Sequence, residues 1–208
     1  MTPPSPLVDG SLRPDLAVIS EWIEPGSRIL DLGCGDGTLL DHLARTRQVR
    51  GYGLEIDPDK LSACVARGVN AIQADVDDGL KDFATDSFDY VVLTQTLQAL
   101  VRPDLALTEI LRVGRRAIVT FPNFGHWRVR TQLLMGHMPL TKSLPDQWYD
   151  TPNIHLCTVQ DFEALCTARR WTCVRRSLLD RALRQGKRIT AWPNLFAEVA
   201  LYMLEDDT

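Results

Sequence analysis

The sequence lacks most of what marks a specialised protein class. No apolar run approaches the roughly 18 to 20 residues that a membrane span requires. The opening MTPPSPLVDG has neither the charged nor the apolar region of a signal peptide. No CxxC occurs, and the five cysteines (Cys34, Cys64, Cys157, Cys166 and Cys173) are odd in number and scattered. That pattern argues against a disulfide scaffold or a zinc ribbon and for reduced thiols in a cytoplasmic protein. A large excess of charge is missing too. Lys and Arg number 23 against 27 Asp and Glu, a net charge of −4, where a nucleic-acid coat protein would be strongly basic.

What is present is an ordinary globular composition, 45% hydrophobic and 24% charged over 208 residues. The expectation is a single domain spanning 1–208, preceded by a Pro- and Ser-rich flexible arm over 1–11. Charge is unevenly distributed. Residues 169–188 hold eight Lys and Arg against Asp180 alone, a local charge of +7 that leaves −11 for the remainder.

Hydrophobic periodicity predicts a helix over 12–23. Strands follow at 28–32, 51–56, 69–74, 88–93 and 115–121, with helices after Gly37, over 58–67 and over 103–112. Strands alternating with helices of about ten residues imply a parallel sheet covered on both faces. Residues 122–157 then break the rhythm with Pro122, Pro139, Pro145 and Pro152, as expected of a lid or insert that hides at most short helices. A helix over 158–169, begun by a capping-box pair Thr158 and Asp161, precedes two closing strands at 172–179 and 195–204, their spacing suited to an antiparallel pair.

The informative motif is Asp31-Leu32-Gly33-Cys34-Gly35-Asp36-Gly37, set between an apolar strand and a helix. Its glycines permit a sharp turn and close approach of a ligand to the main chain. The spacing is GxGxG. A dinucleotide fingerprint needs glycine at position 38, which is Thr38, and no GKT or GKS follows for a Walker loop. Ligands of open parallel sheets bind beyond the carboxyl ends of the strands. Glu55, at the end of the second strand, is placed to accept ribose hydroxyls, and Asp75, after the third, to accept an adenine amino group. Carboxylates without a cation in the glycine turn favour a cationic nucleoside over a phosphorylated one.

With ILDLGCGDG at 29–37, GLE at 53–55, QAD at 73–75 and FDYVVL at 88–93, residues 12–121 resemble the class I S-adenosylmethionine (SAM) methyltransferases. The resemblance implies a doubly wound α/β sheet of about seven strands. The sheet would be mostly parallel with an antiparallel C-terminal strand, and helices would cover both faces. It implies SAM or S-adenosylhomocysteine as cofactor, with Asp31, Gly33, Gly35 and Gly37 around the methionyl part and Glu55 on the ribose. Asp75 and the Val76 backbone would lie beside the adenine, and Thr94 near the methionyl end. TQTLQAL at 94–100, FPNFGHWRVR at 121–130, the 138–166 segment and PNLFAE at 193–198 are similar to the methionine biosynthesis protein MetW family. That similarity covers nearly the whole chain. It implies homoserine O-acyltransferase as protein partner, and it supplies no methyl acceptor.

A catalytic apparatus is harder to find. Thr94-Gln95-Thr96-Leu97 replaces the D/N-P-P-Y/F box of amino-group methyltransferases, and no Pro-Cys dipeptide serves cytosine-C5 chemistry. Gln98 stands where many small-molecule methyltransferases resemble one another in having histidine. Candidate bases in the insert are His126, Tyr149, Asp150 and His155, each also readable as a hydrogen-bonded structural group. His126, His137, His155 and Cys157 match no regular zinc spacing, so no metal site is assigned. Phe121, Phe124, Trp127, Trp148 and Tyr149 form either core or a docking surface. The basic run is read first as protection of a sheet edge, then as a protein-binding surface, and last as an RNA-binding one. Two functions lead, an accessory subunit of the acyltransferase and a methyltransferase of an unidentified small molecule, with RNA methylation, motivated by the basic run, third.

Overall fold

The computed structural model describes residues 7–8, 11–180 and 189–206. Much of the expected arm, and residues 181–188 of the basic run, lie outside these. Within the arm, β1 (Leu7–Val8) pairs antiparallel with β2 (Ser11–Leu12). Helix α1 (Pro14–Trp22) opens with Pro14, whose fixed φ and missing N–H cost nothing in a first turn.

Four β–α units follow: β3 (Arg28–Leu32) with α2 (Thr38–Arg47), β4 (Arg50–Glu55) with α3 (Pro58–Ala66), β5 (Ala71–Gln73) with a single 3-10 turn at Val76–Asp78, and β6 (Phe88–Thr94) with α4 (Pro103–Val113). Then come β7 (Gly114–Pro122), α5 (Trp127–Leu134), α6 (Val159–Arg169), β8 (Trp171–Leu179), the short α7 (Pro193–Phe196) and β9 (Val199–Asp206). The seven-stranded sheet has the order β5-β4-β3-β6-β7-β9-β8. β9 alone runs against its neighbours, pairing antiparallel with both β7 and β8.

The apolar strands read as unbroken because both faces are buried. Along β3, Ile29 faces the core formed with α1 and α2, where Ile19 and Leu43 sit, while Leu30 and Leu32 join the opposite core under α4 and α6. Phe121, Phe162 and Tyr202 pack together in that second core, with Phe121 and Phe162 centroids 4.7 Å apart. Tyr202 Oη donates to Glu163 at 2.8 Å, and burial pushes the phenol well above its ordinary value. The Thr158–Asp161 capping box forms as the sequence implied.

Two expectations are corrected. The last strand begins at Val199 instead of 195, and Pro193–Phe196 forms a helical turn. Pro193 is the cause, since it favours a first helical turn and cannot donate to a ladder. The third strand is also shorter than the apolar run 69–74 suggested, because it is a half-exposed sheet edge paired over only three residues.

Candidate functional site

The carboxyl ends of β3, β4 and β6 meet at one end of the sheet. β3 delivers Asp31 and then turns through Gly33, whose φ is +69°. A Cβ there would stand 2.6 Å from Thr96 Oγ1, so the turn is closed to larger residues on two counts. The N–H groups of Gly33 and Cys34 both donate to Leu54 O, at 2.8 and 3.0 Å, which fixes the turn against β4. β4 itself needs glycine at 53, where a Cβ would fall on Cys34 Sγ. The turn ends in Gly37, left-handed at φ +75°, before Thr38 starts α2. Asp36 then accepts from Thr38 and is clamped from α3 by Arg67, Nη2 to Oδ2 at 2.8 Å.

Glu55 is the bridge across the site. Its Oε2 accepts from Gly35 N–H at 2.8 Å and its Oε1 from Asp57 N–H at 3.0 Å. Each oxygen retains a second acceptor position. Asp57 in turn caps α3 through the Asp59 and Lys60 N–H groups. These bonds hold its carboxyl below the ordinary value. Asp75 caps the following 3-10 turn, Oδ1 accepting from Asp77 N–H at 2.9 Å, and Val76 begins that turn. Thr94 is the last residue of β6, and its carbonyl accepts from Thr96 Oγ1 at 3.2 Å.

Asp31 is 1% exposed, and its Oδ1 has no hydrogen-bond partner among the described residues. Burial pushes its carboxyl up to about 7, the negative Glu55 adds to this, and Arg13 opposes it. Arg13 is held by Asp15, Nε to Oδ1 at 3.0 Å and Nη2 to Oδ2 at 2.8 Å. Gln95 Nε2 reaches the same Asp15 oxygen at 3.2 Å. No local pattern marks Arg13, Asp15 or Thr96 as site neighbours, because they lie far from the glycines along the chain. Cys34 and Cys64 sulfurs approach to 3.6 Å, and burial raises both thiols.

The candidate bases separate. His126 is 3% exposed, with neither ring nitrogen partnered among the described residues, and burial lowers its pKa so that the ring is neutral. Tyr149, Asp150 and His155 are exposed. Tyr149 stacks edge-on against Trp148, and His155 Nε2 meets Val101 O at 3.1 Å. No cluster of three or more metal-ligating side chains occurs among the described residues. No helix among them is long and apolar enough to cross a membrane. The arginines of the described basic run are in part paired, Arg176 on the edge strand β8 with Glu163 and Arg169 at the end of α6 with Asp104.

Strand order, the reversed β9 and the glycine turn define the class I SAM-dependent methyltransferase fold. The chain belongs to the family of methionine biosynthesis protein MetW, whose model matches residues 13–204. It is 37% identical over 174 residues to the bifunctional methionine biosynthesis protein MetXA/MetW of Rhodopirellula baltica. The match takes in 79% of this chain and 28% of that protein, so the chain spans under a third of its relative's length. Among solved structures it is similar to Haemonchus contortus phosphoethanolamine N-methyltransferase 2 in complex with SAM, with TM-score 0.71 and 13% identity. That match covers 96% of this chain and 53% of the other. A chain from the complex of the Haloferax volcanii Trm112 methyltransferase activator with a methyltransferase gives TM-score 0.66 at 16% identity, over 93% and 90%.

Proposed function

We propose that this chain is a SAM-binding accessory subunit of methionine biosynthesis that associates with homoserine O-acyltransferase in the cytoplasm and supports its activity. The observation that carries the reading is a glycine turn flanked by carboxylates, with a buried Asp31 oxygen that has no partner among the described residues. Buried polar atoms are rarely left unpaired, and Asp31 Oδ1 is an acceptor waiting for a donor. The ammonium of a methionyl group supplies one. Arg13 Nη1 makes no hydrogen bond among the described residues, and it would take the neighbouring carboxylate, so that the two charges of an amino-acid zwitterion are matched. Glu55 would accept ribose hydroxyls through its remaining lone pairs, and Asp75 Oδ2 the adenine amino group.

When bound, SAM carries an electrophilic methyl on its sulfonium. Methyl transfer would also require an aligned acceptor and, for many acceptors, a base. Tyr149, Asp150 and His155, the other candidates in the insert, are solvent-exposed. The fused relative joins a module like this chain to a MetXA module, which supports a physical partnership. SAM occupancy then could report end-product level, provided that SAM binds the free and the associated subunit with different affinity. Co-purification with the acyltransferase, and acyltransferase rates with and without this chain, test the reading. Absence of both association and rate change ends it.

One observation favours a second reading, a methyltransferase of a small molecule. His126 is unpartnered among the described residues, and burial lowers its pKa, which favours the form that can accept a proton. Conversion of SAM to S-adenosylhomocysteine in a metabolite extract, abolished by His126→Ala, would support it. Nucleic acid is not assigned as a partner.

A further inference from the structure

The insert between β7 and α6 packs in an unusual way. Between Trp127 and Leu156 only Val129, Pro139, Ser143 and Leu144 are buried. More than half of the large exposed apolar side chains among the described residues fall in this one stretch, among them Leu134, Met135, Met138, Trp148, Tyr149 and Ile154. Leu134, on the last turn of α5, is 87% exposed. This exposure belongs to an ordered surface. Gln132 exchanges two hydrogen bonds with the Leu140 backbone, at 3.2 and 2.9 Å, folding 135–140 back on α5. Met138 and Pro139 then line one shallow groove with Trp148 and Leu156, and Leu134 lies at the end of the helix on which this turn folds back.

At about 100 Å² for each of the ten exposed apolar side chains of the insert, their summed area is roughly 1,000 Å². That sum is of the order of the about 800 Å² that each partner contributes to a standard interface. The aromatic and methionine content of this surface is that of an interface centre. Its position is equally specific. Ile154 and His155 N–H both donate to Gln98 O, at 2.8 and 2.9 Å, and Gln98 Nε2 donates to Gln95 O at 2.7 Å. The face therefore borders the carboxyl end of β6, beside the glycine cradle.

We propose that this face, centred on Leu134, Met138 and Trp148, is the surface on which homoserine O-acyltransferase docks. The inference rests on the partnership proposed above. The fused relative places the two modules at equal stoichiometry in one polypeptide, and the exposed apolar area of the insert is of the size that one partner contributes to a standard interface. A partner seated there borders the ligand site, where occupancy and docking can influence one another.

The test uses the full chain and the purified acyltransferase, with association measured by surface-immobilised binding. Leu134→Glu and Trp148→Glu are each expected to weaken association at least 30-fold. Val65→Glu, on α3 away from this face, should leave it within twofold. SAM titration of each variant within twofold of wild type shows that the fold is intact. If wild type associates but both insert variants bind within threefold of it, the docking surface lies elsewhere and this inference falls while the partnership stands. If wild type forms a dimer that Leu134→Glu dissolves, a second copy occupies the face and the inference is overturned. If wild type does not associate at all, the partnership itself is lost.

Discussion

The Gly35 amide donates to Glu55 Oε2 at 2.8 Å, so a carboxylate at the end of β4 holds the glycine turn in place. Glu55 is only 5% exposed, and its other oxygen is tied to the Asp57 amide. One side chain therefore fixes the loop across 20 residues of sequence and, in the function proposed above, would also meet the ribose.

Removing it should cost both. Glu55→Ala leaves two partly buried amides without their acceptors and is expected to lower stability by about 1–3 kcal/mol, on the scale of lost charge-assisted bonds. SAM binding by calorimetry should weaken beyond tenfold. Glu55→Gln keeps one acceptor oxygen and should retain most of the stability while still losing affinity. Equal affinity for Glu55→Gln and wild type would remove the carboxylate from ribose recognition.

Asp31 predicts a pH dependence of defined sign. Its carboxyl is raised from 3.8 to about 7 in the folded protein, so between those values the native state binds more protons than the unfolded chain. Stability of the ligand-free protein falls as pH rises through that window. Asp31→Asn should flatten the profile and stabilise the protein at pH 8 by about 1–4 kcal/mol. SAM affinity should tighten as pH rises towards 7, because an ammonium prefers the ionised carboxylate, and the Asn variant should lose that trend.

Arg13 sharpens the same test. Its charge opposes the rise at Asp31, so Arg13→Gln should move the pH midpoint of SAM binding upward by roughly half to one unit. An unchanged midpoint would place Arg13 outside the electrostatic environment of the site.

Gly33 tests the turn itself. Gly33→Ala must adopt φ near +69° and displace Thr96 Oγ1, and a loss of about 1–3 kcal/mol is expected. Thr96→Ala in the same chain should recover the contact part and leave the backbone part, as read from denaturation midpoints.

Asn123 anchors the insert. Its Nδ2 donates to Asn194 O and Ala197 O, at 3.1 and 2.7 Å, while Oδ1 accepts from the Gly125 and Val159 amides. It is 2% exposed. Asn123→Ala should destabilise by about 2–4 kcal/mol through unsatisfied buried groups. Proteolysis would then begin in 123–157.

The sheet and its ligand end were legible because they are local patterns. Apolar runs of the right length, glycine punctuation and a carboxylate at a strand end announce themselves within a few residues. Asp31, Gly33 and Glu55 could be singled out on that basis. The insert was legible only as an interruption, since proline-rich chain without periodicity says where regular structure stops and not which side chains face outward. His126 and His155 looked equivalent as candidate bases, yet one is buried without partners and the other is on the surface.

The sequence by itself determined the α/β class, the order of the elements and the chemistry at the ends of the strands. These follow from hydrophobic period and turn stereochemistry, which act between near neighbours. Only the tertiary structure decided that Arg13 and Thr96 border the glycine turn, that β9 inserts between β7 and β8, and that the insert turns its large apolar side chains to solvent. Those relationships arise from which surfaces pack across long chain separations, where burial and sheet register select a partner that no local pattern names.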